Sequence, residues 1–282
     1  MNAFAFMDEG IAFIALTDRI IERLIHISSK MWRLNLLGDI LRIQTTTEAR
    51  NYIAAALLPI QIQILSSHEL GHFFHGHCAD SPGLSLRAEI NLDSDHPRLR
   101  GASRLRNQAM EVEADGYAVH MILKNLIQGE MGENLYKLFG SALPVSEFVM
   151  AFFLISTGSL FYLLGERHFD SAAVEGYDHP PALMRMNVIM RDMQGWCSEH
   201  SPELIDWGTT ERFQDIMQAI ALADETGANL NDWQVQGQFL LSEPGRQYIE
   251  RLYAEREKLR AEMEPFQWHL TPKVDGGEAR AE

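Results

Sequence analysis

Apolar residues recur along most of the chain at the three- and four-residue spacing of α-helices. The clearest exception is the start, where residues 2–16 (NAFAFMDEGIAFIAL) predict two short strands joined by a turn. Thr17 or Asp18 then caps a predicted helix whose core face is formed by Ile20, Leu24, Ile27 and Met31. We therefore predict an α+β protein that is mostly helical, with a small N-terminal sheet.

Residues 45–77 predict two helical stretches on either side of Pro59. Threonines 45 to 47 offer caps for the first stretch, and proline interrupts it because it has no backbone N–H to donate. Just after the proline, three isoleucines alternate with two glutamines at positions 60–64, so a strand is an alternative there.

The rest of the chain divides into a loop and further helices. Residues 79–100 are rich in Asp, Ser, Pro and Gly and predict a loop, and residues 101–127 return to a helical pattern. Asp178 is a candidate cap for a helix with Pro180 in its first turn. We predict one domain over residues 1–199, a helical appendage over 200–270 and a disordered tail over 271–282.

An uncharged, mostly apolar run at residues 148–165 lies between Glu147 and Glu166. Its length is at the lower limit for crossing a bilayer. The two interpretations are a membrane span and a helix buried in the core.

Composition narrows the classes of partner. The net charge of −15 argues against binding to nucleic-acid backbones and to anionic membrane surfaces. Two cysteines are too few for a disulfide framework, and the N-terminus has no secretory signal pattern. We expect a cytoplasmic protein.

The stretch HELGHFFHGH, residues 68–77, holds four of the chain's eleven histidines. On a helix, residues four apart differ by about 40° around the axis and about 6 Å along it, so His68 and His72 can coordinate one cation. Glu69 is offset by about 100°, within reach of a water molecule at that cation. Two imidazoles on zinc with a glutamate as general base is the arrangement of HExxH metallopeptidases.

A third ligand comes from one of two patterns. The long metzincin pattern fails, because His75 and Cys78 stand where it needs glycine and histidine. The gluzincin pattern takes a glutamate from a later helix, and EVEAD at residues 111–115 supplies it. Glu111 is the predicted third ligand, and Asp115, one turn later, is predicted to hydrogen-bond a ligating histidine.

Three residues near the predicted ligands have other interpretations. Glu113 falls on the opposite side of its helix from Glu111 and Asp115, with no predicted role. His75 either lines the cleft or is an ordinary helix histidine. His77 is predicted to point away from the metal and to make a structural hydrogen bond.

Four motifs in order resemble the M48-type metallopeptidases: NAFA at residues 2–5, HELGH with His77 five residues after it, ExxAD at residues 111–115, and HPPxxxR at residues 179–185. The resemblance implies a zincin-like domain and places His179 and Arg185 near the reacting carbonyl, where they would stabilise an oxyanion. It also implies that the first strand lies at the cleft edge, where an extended substrate can add as a strand. Soluble Lit-type phage-exclusion peptidases resemble the chain in size and in having HExxH.

The late motif bears on the apolar run. Glu111 precedes residues 148–165 and His179 follows them, so a single membrane span would separate two residues that share a site if both motifs are functional. A buried core helix is therefore favoured.

Together these observations predict a zinc-dependent endopeptidase that acts on a peptide or protein substrate. One alternative is a non-catalytic zinc-binding regulatory or interaction module that keeps the fold. Another is a phage-defence protease that acts on one host protein. The intact Glu69 argues against the first alternative, since a structural zinc site needs no general base.

Overall fold

The computed structural model describes residues 3–8, 11–33, 36–43, 47–77, 87–88, 104–164, 169–177, 179–205, 210–223 and 230–264. The described strands are β1 (Ala3–Asp8), β2 (Ile11–Leu16) and β3 (Arg87–Ala88). The described α-helices are α1 (Asp18–Arg33), α2 (Leu36–Leu41), α3 (Thr47–Phe74), α4 (Arg104–Leu123), α5 (Glu130–Phe139), α6 (Val145–Leu164), α7 (Ala182–His200), α8 (Thr210–Ala223), α9 (Leu230–Leu241) and α10 (Glu243–Met263). The protein is mostly helical, as predicted.

The described strands form one antiparallel sheet in the order β2-β1-β3. β1 pairs with β2 from Ala3↔Leu16 to Asp8↔Ile11, and with β3 at Phe4↔Ala88 and Ala5↔Arg87. The expectation that an extended substrate adds to the first strand is contradicted at Phe4 and Ala5, because β1 is the middle strand and is paired on both sides there. An extended substrate could not pair with β1 at Phe4 and Ala5 while β3 occupies that edge.

The loop prediction for residues 79–100 is wrong at residues 87–88, which form β3, and its other residues lie outside the described part of the chain. Sequence alone could not identify this strand, because two residues carry no periodicity and their pairing partner is distant in the chain. The tail predicted at 271–282 also lies outside the described residues.

α3 runs without a break through Pro59, so the predicted interruption and the alternative strand at 60–64 are both wrong. A proline inside a helix costs about 3 kcal/mol, because it removes one backbone hydrogen bond and clashes with the preceding turn. Burial on both sides of the proline offsets that cost, since Leu57 and Ile60 are 0% and 2% exposed. Ile64, four residues after Ile60, is buried on the same face, which fits a helix and not a strand.

The apolar run forms α6, in which every residue from Phe148 to Tyr162 is buried. α6 packs against α1, α3, α7 and α8 in the main core. By length and composition, α6 and the stretch Tyr52–Phe74 of α3 are both capable of crossing a membrane. The core helix of a soluble protein meets the same test, and the burial of α6 fits that interpretation.

A second core lies between α4, α7, α9 and α10. It combines Met110 and Val112 of α4 with Tyr248, Leu252 and Leu259 of α10, so it joins residues on both sides of the predicted boundary at 199/200. α4 thus lies between α3 and α10 and is buried on both sides.

α7 begins at Ala182, with Pro181 at its N-cap position. Pro180 therefore precedes the helix and does not lie in its first turn, which corrects the prediction. The predicted cap Asp178 lies outside the described residues. His179 is held just before α7, and Arg185 lies in the first turns of that helix.

Because α6 is covered by protein, we expect the chain to remain in the soluble fraction of lysed cells without detergent. Fractionation by ultracentrifugation, with salt and alkaline carbonate washes of the pellet, measures this. Recovery in a membrane pellet that resists both washes would contradict the core-helix interpretation of α6.

Candidate metal centre

The centre is built where α3 and α4 approach closely. A Cβ on Gly71 would lie 2.9 Å from Cα and 3.1 Å from the carbonyl oxygen of Ala114. These are backbone atoms, which cannot move aside without displacing the helix. Glycine at this position of HELGH therefore allows the two helices to bring their polar residues together.

Three potential ligands converge at this crossing: His68 and His72 from α3, and Glu111 from α4. The two Nε2 atoms of the histidines are 3.2 Å apart. Glu111 places Oε2 3.6 Å from Nε2 of His68, and Oε1 3.8 Å from Nε2 of His72. All three residues are at most 5% exposed. The sequence-predicted ligand set is thus assembled in one place.

These separations fit a small divalent cation. Zinc bonds of about 2.0–2.1 Å in tetrahedral geometry place neighbouring ligand atoms about 3.3–3.4 Å apart. Within the described part of the chain no fourth His, Cys, Asp or Glu joins the group. Three protein ligands with a position left over are typical of catalytic zinc sites, whereas structural sites are usually closed by a fourth ligand.

Charge also favours a cation here. Three buried carboxylates, those of Glu69, Glu111 and Asp115, surround the buried guanidinium of Arg185. When His68 and His72 are neutral, as histidines that ligate a metal must be, the carboxylates outnumber this guanidinium by two charges, and uncompensated buried charges are costly. A divalent cation would balance them.

Asp115, supported by Arg185, orients His68 from the side of the ring that faces away from the ligand cluster. Oδ1 of Asp115 lies 2.9 Å from Nδ1 of His68, which leaves Nε2 directed at the ligand cluster. Arg185 donates to both carboxylate oxygens of Asp115, from Nε at 2.8 Å and from Nη2 at 2.6 Å. Its guanidinium also lies 4.7 Å over the ring of Phe161 on α6. The sequence predicted that Asp115 hydrogen-bonds one of the two histidines, and the structure places it against His68.

His77 approaches His72 in a similar way, with their Nδ1 atoms 2.9 Å apart. The structural hydrogen bond predicted for His77 is present, but His77 lies beside His72 and not on the far side of the helix. The reason is that the helix has ended by then, and residues 75–77 turn back towards α3. His75 is directed elsewhere, with Nδ1 3.7 Å from Oε1 of Glu113.

His179 and Glu69 complete the surroundings of the cluster. Nδ1 of His179 lies 3.1 Å from Oε2 of Glu111, and its side chain is 27% exposed. Glu69 is fully buried on α3, and its charge acts on Arg185. Sequence motifs that are more than 100 residues apart therefore meet at one cluster.

The pKa values follow from this packing. Burial lowers the pKa of His68, but hydrogen bonds to Asp115 and Glu111 outweigh that effect and raise it to about 9. Burial raises the pKa of Glu111, yet His179, His68 and Arg185 together hold it well below its usual range. Burial likewise opposes ionisation of Asp115, and Arg185 keeps the pKa of that carboxyl low. Both carboxylates are therefore ionised at neutral pH and available to a cation or its ligands.

Two residues that support the candidate metal centre or its helices were not identified from the sequence. Phe161 carries no chemical signal of its own, since one aromatic residue in an apolar helix is usually core. Glu113 was expected to have no role, but it is buried and contacts Arg256 and Arg260 of α10. The apolar residues on either side of EVEAD were the available signal that this helix is covered on both faces.

Comparison of the chain with family models, with curated proteins and with solved structures finds no match in any of the three. The resemblance to M48-type peptidases therefore rests on the short motifs and on the cluster that they form.

Gly71→Ala tests the helix crossing. Because the added Cβ meets the backbone of Ala114, α3 and α4 must separate, and we expect zinc affinity to fall at least about tenfold, as when support around a metal ligand is lost. The measurement is competition for zinc with a chromophoric chelator.

Gly195→Ala is the matched control, since a Cβ there meets nothing within 4 Å on the exposed side of α7. It should leave zinc affinity unchanged and stabilise the fold by about 0.5–1 kcal/mol. Equal zinc affinity in both variants would refute the role assigned to Gly71.

Proposed function

We propose that the protein is a zinc-dependent endopeptidase. The observation that carries the proposal is the convergence of His68, His72 and Glu111, with Glu69 on the same helix between the two histidines. In this proposal those three residues hold the ion. When bound, zinc supplies Lewis acidity, which makes water more acidic and carbonyl groups more electrophilic.

Glu69 is the proposed general base. It follows His68 directly on α3, it is fully buried and its charge acts on Arg185, so it lies near the ligands without belonging to the ligand set. It would accept a proton from the attacking water and then donate it to the departing amine, so that one carboxyl group serves both steps of peptide hydrolysis.

His179 and Arg185 take different roles in the proposal. His179 is partly exposed beside Glu111, so its imidazole is available to donate a hydrogen bond to the oxygen that becomes negatively charged. Arg185 is 5% exposed and donates two hydrogen bonds to Asp115, so we assign it to positioning His68 and not to the oxyanion.

The motif resemblance supports an M48-type gluzincin with a peptide or protein substrate. The net charge of −15 supports a role away from nucleic acids and anionic membranes, and the presence of only two cysteines supports a reducing compartment such as the cytoplasm. A zinc-binding module without activity is disfavoured, because three protein ligands leave one coordination position open, which is typical of catalytic zinc sites and not of structural ones.

Glu69→Gln tests the proposal. Since an amide in place of this carboxylate cannot accept a proton, cleavage of a mixed peptide library, followed by mass spectrometry, should slow by about 10²- to 10⁴-fold. Zinc content, measured by elemental analysis, should remain near one ion per chain.

Two comparisons complete that experiment. His68→Ala should lose the zinc as well as the activity, and Glu133→Gln, an exposed carboxylate on α5, should change neither. Wild-type rates in Glu69→Gln would remove Glu69 from the proposed role, and a zinc-loaded His68→Ala would remove the ligand assignment.

A further inference from the structure

α4 buries carboxylates on two opposite sides. Glu111 and Asp115 face α3, while Glu113 is turned about 160° from each of them by helix geometry. Glu113 is only 4% exposed, so its charge also needs a partner inside the protein.

α10 supplies that partner twice. Arg256 donates from Nε to Oε2 of Glu113, and Arg260 donates from Nε to Oε1 at 2.8 Å. The carboxylate is therefore held between two guanidinium groups of the C-terminal helix.

Arg256 also joins a third helix. It is 4% exposed, and its Nη1 and Nη2 each lie 3.1 Å from a carboxylate oxygen of Asp192 on α7. Gly116 makes room for this pair on α4, because a Cβ there would lie 2.7 Å from Oδ2 of Asp192. One buried guanidinium thus fixes α4 relative to both α7 and α10.

Two routes connect this ion pair to the metal cluster. The first is α4 itself, since any rotation that moves Glu113 also moves Glu111, two residues earlier. The second runs through side chains: Glu113 lies 3.7 Å from His75, the ring of His75 stacks at 5.8 Å on that of His77, and His77 contacts His72. A disturbance at α10 therefore reaches ligands on both α4 and α3.

We propose that Glu113, held by Arg256 and Arg260, is a positioning residue of the metal centre, so that the C-terminal helix sets the geometry of the ligands. This inference rests on the proposed metal site, and it assigns a role in it to residues 243–263. The competing explanation is that these ion pairs stabilise the fold without affecting the ligands.

Cobalt(II) separates the two explanations, because its visible spectrum reports the geometry of its ligands. The full-length wild type, Glu113→Gln, Arg256→Met and the double variant are titrated with cobalt well below their unfolding temperatures. We expect Glu113→Gln to bind cobalt about tenfold more weakly, at the lower end of the loss for outer partners of a metal site, with a shifted spectrum. Because Arg256 acts through Glu113, the double variant should bind cobalt no more weakly than whichever single variant binds it less tightly.

Matched variants control for stability and charge. Glu175→Gln removes the partner of Arg251. This exposed ion pair also links α10 to residues 171–176, and its loss should leave the cobalt affinity and the spectrum unchanged. Arg256→Lys should recover part of the affinity lost in Arg256→Met, because it restores the charge without the forked geometry. Arg260→Gln removes one partner of Glu113 and should disturb the fold less, because Arg260 is 42% exposed. It replaces Glu113→Gln in the test if that variant does not fold.

The outcomes distinguish this inference from the proposed function. Failure of the wild type to bind cobalt or zinc would overturn both. If the wild type binds cobalt while folded Glu113→Gln or Arg260→Gln keeps its affinity and spectrum, the positioning role is wrong and the metal centre stands. Additive losses in the double variant would likewise contradict action through Glu113.

Discussion

The close contact between α3 and α4 at Gly71 and Ala114 is the constraint on which the rest of the structure depends. Each helix alone supplies only part of the candidate metal site: His68, Glu69 and His72 on α3, and Glu111 with Asp115 on α4. Only a backbone-to-backbone approach brings Nε2 of His68 to 3.6 Å from the carboxylate of Glu111. A side chain at residue 71 would prevent that approach, so the glycine matters as much to the site as the ligands do.

Burial of charge explains why the surrounding helices are arranged as they are. α4 carries three carboxylates, and each is at most 5% exposed. Arg185 of α7 satisfies Asp115, Arg256 and Arg260 of α10 satisfy Glu113, and a divalent cation would satisfy Glu111 together with His179. Elements from the second half of the chain are therefore needed to neutralise a helix from the first half. This requirement links the C-terminal helices to the candidate metal centre more closely than expected for the separate appendage predicted over residues 200–270.

Local periodicity accounts for what the sequence predicted well. The spacing of HELGH and EVEAD fixes which side chains share a helix face, and the structure brings His68, His72, Glu111 and Asp115 together accordingly. Contacts between distant segments were not predictable in the same way. The pairing of Arg87–Ala88 with β1 and the ion pairs of Arg256 depend on which elements pack together, not on local spacing. Pro59 shows the same limit, because tertiary burial keeps α3 intact where local chemistry favours a break.

X-ray absorption at the zinc edge of the purified, full-length protein tests the central claim most directly. The ligand set predicts a first shell of nitrogen and oxygen only, at about 2.0–2.1 Å, with outer-shell scattering from two imidazoles. A sulfur neighbour at about 2.3 Å would instead implicate a cysteine. That result, or scattering from three or more imidazoles, would contradict a centre formed by His68, His72 and Glu111.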